Sequence, residues 1–486
     1  MKHNNRIQLI TYPDSLGQNL SELNELLCGA LQGLFAGVHI LPPFPSSGDR
    51  GFAPISYFEI DSRFGTWPSI SEIGKTHDVV LDLMVNHISR QSEYFQDYLE
   101  QGEYSRYKDL FITMDKVWAD GVPVQADIDR IFLRRKLPYS DFETGGDTTV
   151  RLWTTFGKTD PSEQIDVDVH SEAAKALFRR ILSNFSNNGV RIVRLDAVGY
   201  VIKKPGTSCF FVEPEIYEFL DWIMDTAKEY GLELLPEVHS HYSIQNKLAA
   251  RGYWIYDFIL PYRVLEALIL QKADMLGAYL RERPEKQYTT LDCHDGVPVI
   301  PDMNDLLEVE NAKYVAEVCK SRGSNFSKVY SEAHQLEGGF DVHQIRGTFY
   351  SMLNENDDDY IKARAIQLFT PGVPQIYYVG LLAGVNKLDR AEVYGDGREI
   401  NRYNYTVQEV AAECKREVVQ RLFRLMRFRN EHPSFGGTFT LEKAEGSELV
   451  MKWENGDQSS VLSINLSKPD AYVEYSEGEN IYRFCI

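Results

Sequence analysis

Eight short stretches of the chain are apolar almost without interruption: Arg6–Tyr12, Gly37–Phe44, Val79–Val85, Val190–Val198, Glu233–Val238, Trp254–Leu260, Tyr288–Cys293 and Val373–Val379. A strand with one wet face alternates apolar and polar residues, whereas an unbroken run fits a parallel strand covered on both faces. Helical spacing fills many of the gaps, as in Ser171–Phe185 and Glu213–Tyr230. Strand and helix alternating around eight runs predict an α/β fold, a (β/α)8 TIM barrel. Two intervals break the rhythm, residues 88–167 after the third run and 295–348 after the seventh. Structureless loops of that length are rare in compact domains, so each is expected to be an inserted subdomain. Insertions that follow barrel strands lie on the catalytic face. The barrel would then comprise 1–87, 168–294 and 349–432. Beyond Pro433 the period shortens to two. Glu448–Glu454, Ser460–Ser467 and Ala471–Tyr475 read as strands, with Asn455-Gly456 as a hairpin turn. Residues 433–486 are therefore expected to form a small antiparallel β domain.

Composition narrows the function classes. The 486 residues are 43% hydrophobic and 25% charged, ordinary for a globular chain, and the 12% aromatic content suits a large core. Basic residues number 51 and acidic ones 71, a net charge of −20. That balance disfavours nucleic-acid and anionic-membrane partners, and an anionic substrate would have to meet a local basic cluster. The six cysteines form no CxxC pair, which speaks against zinc or dithiol motifs and for free thiols in a reducing compartment. The N-terminal residues lack a signal-type apolar stretch, and no run of about 18 apolar residues occurs. The expected location is cytoplasmic.

The chemistry shows where polar groups interrupt the apolar runs. Asp82 and His87, Arg194 and Asp196, Glu237 and His239, and His294 and Asp295 lie near the C-terminal ends of four runs. In a barrel those ends converge. Arg194 and Asp196 are two apart and share a strand face, and a guanidinium beside a carboxyl favours its ionised form. Glu237 sits among Leu234, Leu235, Pro236 and Val238, surroundings that tend to keep a carboxylic acid protonated. Alone, each motif has a plain alternative: a buried ion pair, a solvent-facing Glu, a loop start, a core histidine. Together, an ionised carboxylate beside a protonated one is the pairing that retaining glycoside cleavage requires.

The ordered segments DLMVNH (Asp82–His87), VRLDAV (Val193–Val198), PEVH (Pro236–His239) and LDCHD (Leu291–Asp295) resemble the four signature regions of the α-amylase family, glycoside hydrolase family 13. Within it, HILPPFPSSGDRGFAPI, GTSCFFVEPE, GVPQIYYVGLLAG and GREINR resemble the sucrose phosphorylase group. The resemblance implies Asp196 as nucleophile, Glu237 as general acid/base and Asp295 as transition-state stabiliser. It also implies a glucosyl pocket of Asp49, Phe52, His87, Arg194, His294 and Arg402. Phe156 and Gln164 would line the same cleft, Tyr200 would form an acceptor-side wall, and Gln344 would complete the sugar site. The group implies no cofactor and no metal.

Two departures from the group bear on the substrate. Arg134-Arg135-Lys136 in the first insertion is more basic than the usual loop, and His343 precedes Gln344 where a tyrosine is typical. A charge run is usually a solvated face, and His343 alone could be an ordinary loop histidine. Extra cationic capacity on both insertions would instead suit a phosphorylated acceptor as well as inorganic phosphate. The expected activity is phosphorolysis of sucrose 6′-phosphate to α-glucose 1-phosphate and fructose 6-phosphate. Unphosphorylated sucrose as substrate, and a retaining α-glucosidase or transglucosidase, are the alternatives. A non-catalytic binding subunit is disfavoured by the complete carboxylate trio.

Overall fold

The computed structural model describes residues 5–145, 148–157, 164–300, 302–329 and 336–486. Each apolar run yields a strand: β1 (Gln8–Thr11), β2 (Gly37–Ile40), β3 (Asp78–Met84), β4 (Val190–Asp196), β5 (Glu233–Pro236), β6 (Ile255–Asp257), β7 (Gln287–Thr289) and β8 (Val373–Tyr377). They form one parallel sheet in the order β6-β7-β8-β1-β2-β3-β4-β5. β5 lies beside β6 at the remaining seam. The expected (β/α)8 barrel is thus the observed architecture.

The strands are buried on both faces because helices cover the outside while side chains fill the inside. Helix Glu172–Asn187 shows how local sequence sets this up. The Ser171 hydroxyl caps its start by accepting from the Ala174 amide at 3.1 Å. Leu177, Ile181 and Phe185, four residues apart, are buried on its inner face. Inside the barrel, Val80, Ile192, Leu235, Tyr256, Tyr288 and Val373 form a separate apolar plug, one residue from each of six strands. This plug is the floor of the functional site.

Both insertions carry structure of their own. In the first, His87–Ser89 pairs with Gln164–Asp166, and Tyr139–Thr144 forms a hairpin with Thr148–Trp153. In the second, Val342–Arg346 lies between Val297–Pro298 and Asn325–Lys328 in a three-stranded antiparallel sheet. The C-terminal sheet is a meander of five strands, β9 (Thr438–Glu445), β10 (Glu448–Asn455), β11 (Gln458–Asn465), β12 (Ala471–Glu477) and β13 (Asn480–Cys485). The sequence pattern reveals only the inner three. β9 and β13 are the edges, where most residues are exposed or half-buried and the alternation is lost. The Trp453 indole docks this sheet on the barrel by donating to the Phe369 carbonyl at 2.7 Å. All six cysteines are free thiols, and among the described residues no helix is long and apolar enough to cross a membrane.

Candidate active site

The polar cluster sits one layer above the apolar plug. Side chains two residues apart on a strand share a direction, so Val80 gives way to Asp82, Ile192 to Arg194 and then Asp196, and Leu235 to Glu237. Arg194 is the hub. Its Nη1 donates to Asp82 and, at 3.0 Å, to Asp196, and its Nη2 lies 2.5 Å from Glu237. Asp82 is fully buried and its second oxygen shares a 2.8 Å hydrogen bond with His39 Nε2. Burial pushes the Asp82 carboxyl up, but His39 and Arg194 outweigh it and hold it below the usual range. Asp82 is thereby a permanent anion that fixes the guanidinium from below. Ala197, in the left-handed region at φ 54°, turns the chain away directly after Asp196.

The two carboxyls of the pair are tightly coupled. Burial and the Glu237 charge together push Asp196 up, against Arg194. Burial also raises Glu237, but Arg194 and then His239, whose Nε2 lies 3.3 Å away, pull it down. The two therefore compete for one guanidinium, and Glu237 has the imidazole as a second source of positive charge. The apolar residues beside Glu237 in the sequence do not decide its environment, because a neighbouring strand delivers the guanidinium.

Asp196, Glu237 and Asp295 open into one cavity of about 170 Å³. Asp295 is bound by Arg398 Nη1 at 3.1 Å. Burial pushes its carboxyl up, but the His294 ring, Arg398 and Arg402 hold it well below its usual value. Arg398 also pairs with Asp49 and Asp396. Asp49 and Arg50 adopt left-handed backbone at φ 48° and 50°, and a Cβ on Gly51 would come within 2.4 Å of the Pro42 carbonyl. Such strain is held by its surroundings and aims Asp49 into the cavity. Phe52 stacks on the His294 ring at 5.0 Å. His87 shares a 3.0 Å hydrogen bond with the Phe52 carbonyl, and Phe156 packs between His87 and Tyr200 at 5.2 and 5.1 Å. Burial lowers His87 and takes His294 down to about 4, so both rings are neutral. Gln164 Oε1 and His294 Nδ1 are buried without a hydrogen-bond partner among the described residues. Unpaired polar atoms around a wet pocket are what a polyhydroxylated ligand would satisfy.

The structure separates the residues expected to meet phosphate. Arg134 lines the cavity with its Nη1 3.4 Å from His343 Nε2, and Gln344 lines it too. Arg135 instead bonds Ser140 at 3.2 Å and Thr154 at 2.5 Å, fastening the hairpin, and Lys136 is exposed outside the cavity. The chain bends through these three residues, so their side chains leave in different directions. His343 is neutral rather than cationic, because burial and the nearby charges of Arg134, His239 and Arg346 push it well down. Arg402, expected to touch sugar, lies behind the cavity wall. It is 1% exposed and donates from Nε to the His294 carbonyl at 2.9 Å.

Sequence reasoning missed Arg346, Arg398 and Phe210 as cavity-lining groups, and named His239 at a strand end without giving it a role. Arg398 stood in the GREINR segment and Arg346 in GGFDVHQIR, so the signal was present without a means of ranking it. Arg346 Nε is buried with no hydrogen-bond partner, and among the described residues neither Arg134 nor Arg346 has a carboxylate in ion-pair contact. Glu237, His239 and Asp295 bring potential ligand atoms within 4.8 Å of one another. A metal ion would need a neutral imidazole there, whereas His239 is held charged with its pKa up at about 10, burial notwithstanding, by Asp302 and Glu237. The trio fits an ion-pair network better than a metal centre.

Residues 31–249 match the family model of the α-amylase catalytic domain. The chain is 55% identical over 482 residues to a sucrose 6(F)-phosphate phosphorylase of Thermoanaerobacterium thermosaccharolyticum, covering 98% of both chains. It is 42% identical over 483 residues to a sucrose phosphorylase of Streptococcus mutans, covering 99% of both. It is also 40% identical over 476 residues to a glucosylglycerol phosphorylase of Marinobacter adhaerens, covering 98% of this chain and 97% of that one. The crystal structure of sucrose 6F-phosphate phosphorylase from Thermoanaerobacter thermosaccharolyticum superposes with a TM-score of 0.98 at 54% identity, over 100% of this chain and 99% of that one. An α-amylase from H. orenii shares the fold at a TM-score of 0.66 and 15% identity, over 96% of this chain and 90% of that one.

Proposed function

The chain belongs to the α-amylase family, glycoside hydrolase family 13, and we propose that within it the protein is a retaining phosphorylase of sucrose 6′-phosphate. The observation that carries the phosphorylated substrate is the surplus of positive charge on the acceptor side. Arg134 from the first insertion and Arg346 from the second line the cavity with no carboxylate in ion-pair contact among the described residues, and both act on His343. Asp396 and Asp295 offset the Arg346 charge only from a distance, so a phosphate would give both guanidiniums the direct partner that a neutral acceptor lacks. The similarity to a relative named for this activity points the same way.

In this reading the barrel grips the glucosyl unit and the insertions, 88–167 and 295–348, grip the phosphorylated half. With the sugar seated between them, Glu237 carries the proton and Asp196 the charge. Asp196 then attacks the anomeric carbon while Glu237 protonates the departing fructosyl oxygen. Asp295, anchored by Arg398, stabilises the oxocarbenium-like transition state. Fructose 6-phosphate leaves, and inorganic phosphate attacks the β-glucosyl-enzyme from the same face with Glu237 as base. Two inversions give α-D-glucose 1-phosphate. Each step moves only a glycosyl group or a proton, so the chemistry calls for no cofactor.

The test compares kcat/KM for phosphorolysis of sucrose 6′-phosphate and of sucrose. A clear preference for the phosphorylated sugar is expected. Equal or higher efficiency on sucrose would reject the reading in favour of a sucrose phosphorylase, and glucose release at full rate without phosphate would indicate a glucosidase.

A further inference from the structure

Asp302 has no part in the mechanism so far, yet it is 1% exposed. It belongs to the second insertion. Its carbonyl accepts from the Tyr242 amide at 3.2 Å, which ties the insertion to helix Tyr242–Ala250 following β5. Its Oδ1 faces His239 Nδ1 at 3.6 Å, and among the described residues neither buried atom has a hydrogen-bond partner at closer range. The other ring nitrogen of His239, Nε2, lies 3.3 Å from Glu237. The imidazole is clamped flat on Phe258, with ring centroids 3.9 Å apart. One rigid ring therefore spans from a buried carboxylate of the insertion to the acid/base carboxylate of the barrel.

We propose that Asp302 and His239 form a positioning relay that holds Glu237 in line for proton transfer and couples the second insertion to the acid/base step. The inference rests on the glycosyl-transfer function argued above. Asp302 and Glu237 keep the ring an imidazolium against burial. An imidazolium donates from both nitrogens at once, so Glu237 always meets an N–H. Asp295 and the neutral His343 also face this ring, and Arg194 faces Glu237 from the opposite side. Glu237 must give up its proton to the leaving oxygen and later recover one from phosphate. With Arg194 shared among three carboxylates, His239 supplies the second donor that steadies Glu237 when it becomes the anion. Gaps of 3.3 and 3.6 Å are long for bonded pairs, as catalytic hydrogen bonds often are before they tighten in the substrate complex.

The test uses the intact enzyme and Asp302→Asn, a change of one atom that keeps the side-chain volume. On sucrose 6′-phosphate with phosphate, both steps need Glu237 to move a proton. With α-glucosyl fluoride as donor and azide as acceptor, neither does. The relay predicts a fall in kcat of roughly 10- to 100-fold on the first pair, a fraction of the whole general-acid contribution. It predicts little change in KM there, and near wild-type turnover on the second pair. That second measurement also shows that the variant is folded. Equal loss on both pairs would mean a structural role and overturn the proposal, as would full activity on both. If the wild-type enzyme itself cannot pass glucose from fluoride to azide with retention, the glycosyl-transfer reading falls first and takes the relay with it.

Discussion

Replacing Arg346 by Gln separates a charge kept for a ligand from one kept for the fold. The Arg346 guanidinium is half-buried, its Nε is unpaired, and burial together with Arg398 pushes its pKa below the usual arginine range. The folded protein therefore gains nothing from this charge, and Gln at 346 should leave the melting temperature unchanged or slightly higher. Arg398 makes the contrast, since it is bound to Asp49, Asp295 and Asp396 and its loss would take one cationic partner from each of three half-buried carboxylates. For the ligand the sign reverses. A charge-assisted hydrogen bond to phosphate contributes about 1.5–3 kcal/mol, or about 10- to 150-fold in affinity. The assay is synthesis in the reverse direction from α-glucose 1-phosphate, with fructose 6-phosphate or fructose as acceptor, alongside thermal unfolding. The KM for fructose 6-phosphate should rise by about that factor while the KM for fructose stays put. A lower melting temperature with equal losses on both acceptors would show that Arg346 serves the fold and would remove the main support for a phosphorylated substrate.

Three further outcomes follow from the same geometry. Asp196→Asn should lower kcat by roughly 10^4-fold or more, with folding intact because Arg194 keeps Asp82 and Glu237; substantial residual turnover would remove Asp196 as nucleophile. Gly199→Ala would put a methyl 2.6 Å from the Phe210 ring, which packs edge-on against Tyr200 at 4.7 Å. The overpacking should cost about 1–3 kcal/mol and raise the KM for the sugar donor by displacing the Tyr200 wall; an unchanged KM would free Tyr200 from that role. The His294 ring is held neutral, with its pKa pushed down to about 4 by burial. Its unfolded value is about 6.5, so the folded state resists protonation and loses stability as pH falls from about 6.5 to about 4. The fall, at about 1.4 kcal/mol per tenfold, comes to about 3 kcal/mol. Urea unfolding at pH 7 and pH 4 should show a wild-type loss, to which other buried groups also contribute, that exceeds the loss in His294→Asn by about that amount; equal losses would remove the neutral ring from the account.

The barrel was legible in the sequence because a parallel strand buried on both faces leaves an unbroken apolar run, and eight such runs have few other folds. The carboxylate cluster of the cavity was legible for a related reason. Asp196, Glu237 and Asp295 stand at or just past the C-terminal ends of those runs, and order along the chain then maps onto position around the barrel. The edge strands β9 and β13 escaped notice because exposure on both faces erases the alternation. In Arg134-Arg135-Lys136 the three charges read alike, and only the folded loop sends Arg134 to the cavity, Arg135 to Ser140 and Thr154, and Lys136 outward.

The surroundings of Glu237 were illegible for a more general reason. Neighbours along a strand fix the direction of a side chain, but neighbours across the barrel fix its electrostatics. Arg194 is two residues from Asp196 in the sequence, yet its other end and His239 both meet Glu237. A sugar seated between the two carboxyls must loosen the Arg194–Glu237 contact before Glu237 can act as an acid. In the proposed mechanism, substrate binding and arming of the acid are then one event. The pH dependence of kcat/KM, which reports the free enzyme, should accordingly differ from that of kcat, which reports the loaded one. Matching profiles would mean that the proton already sits on Glu237 before the sugar arrives.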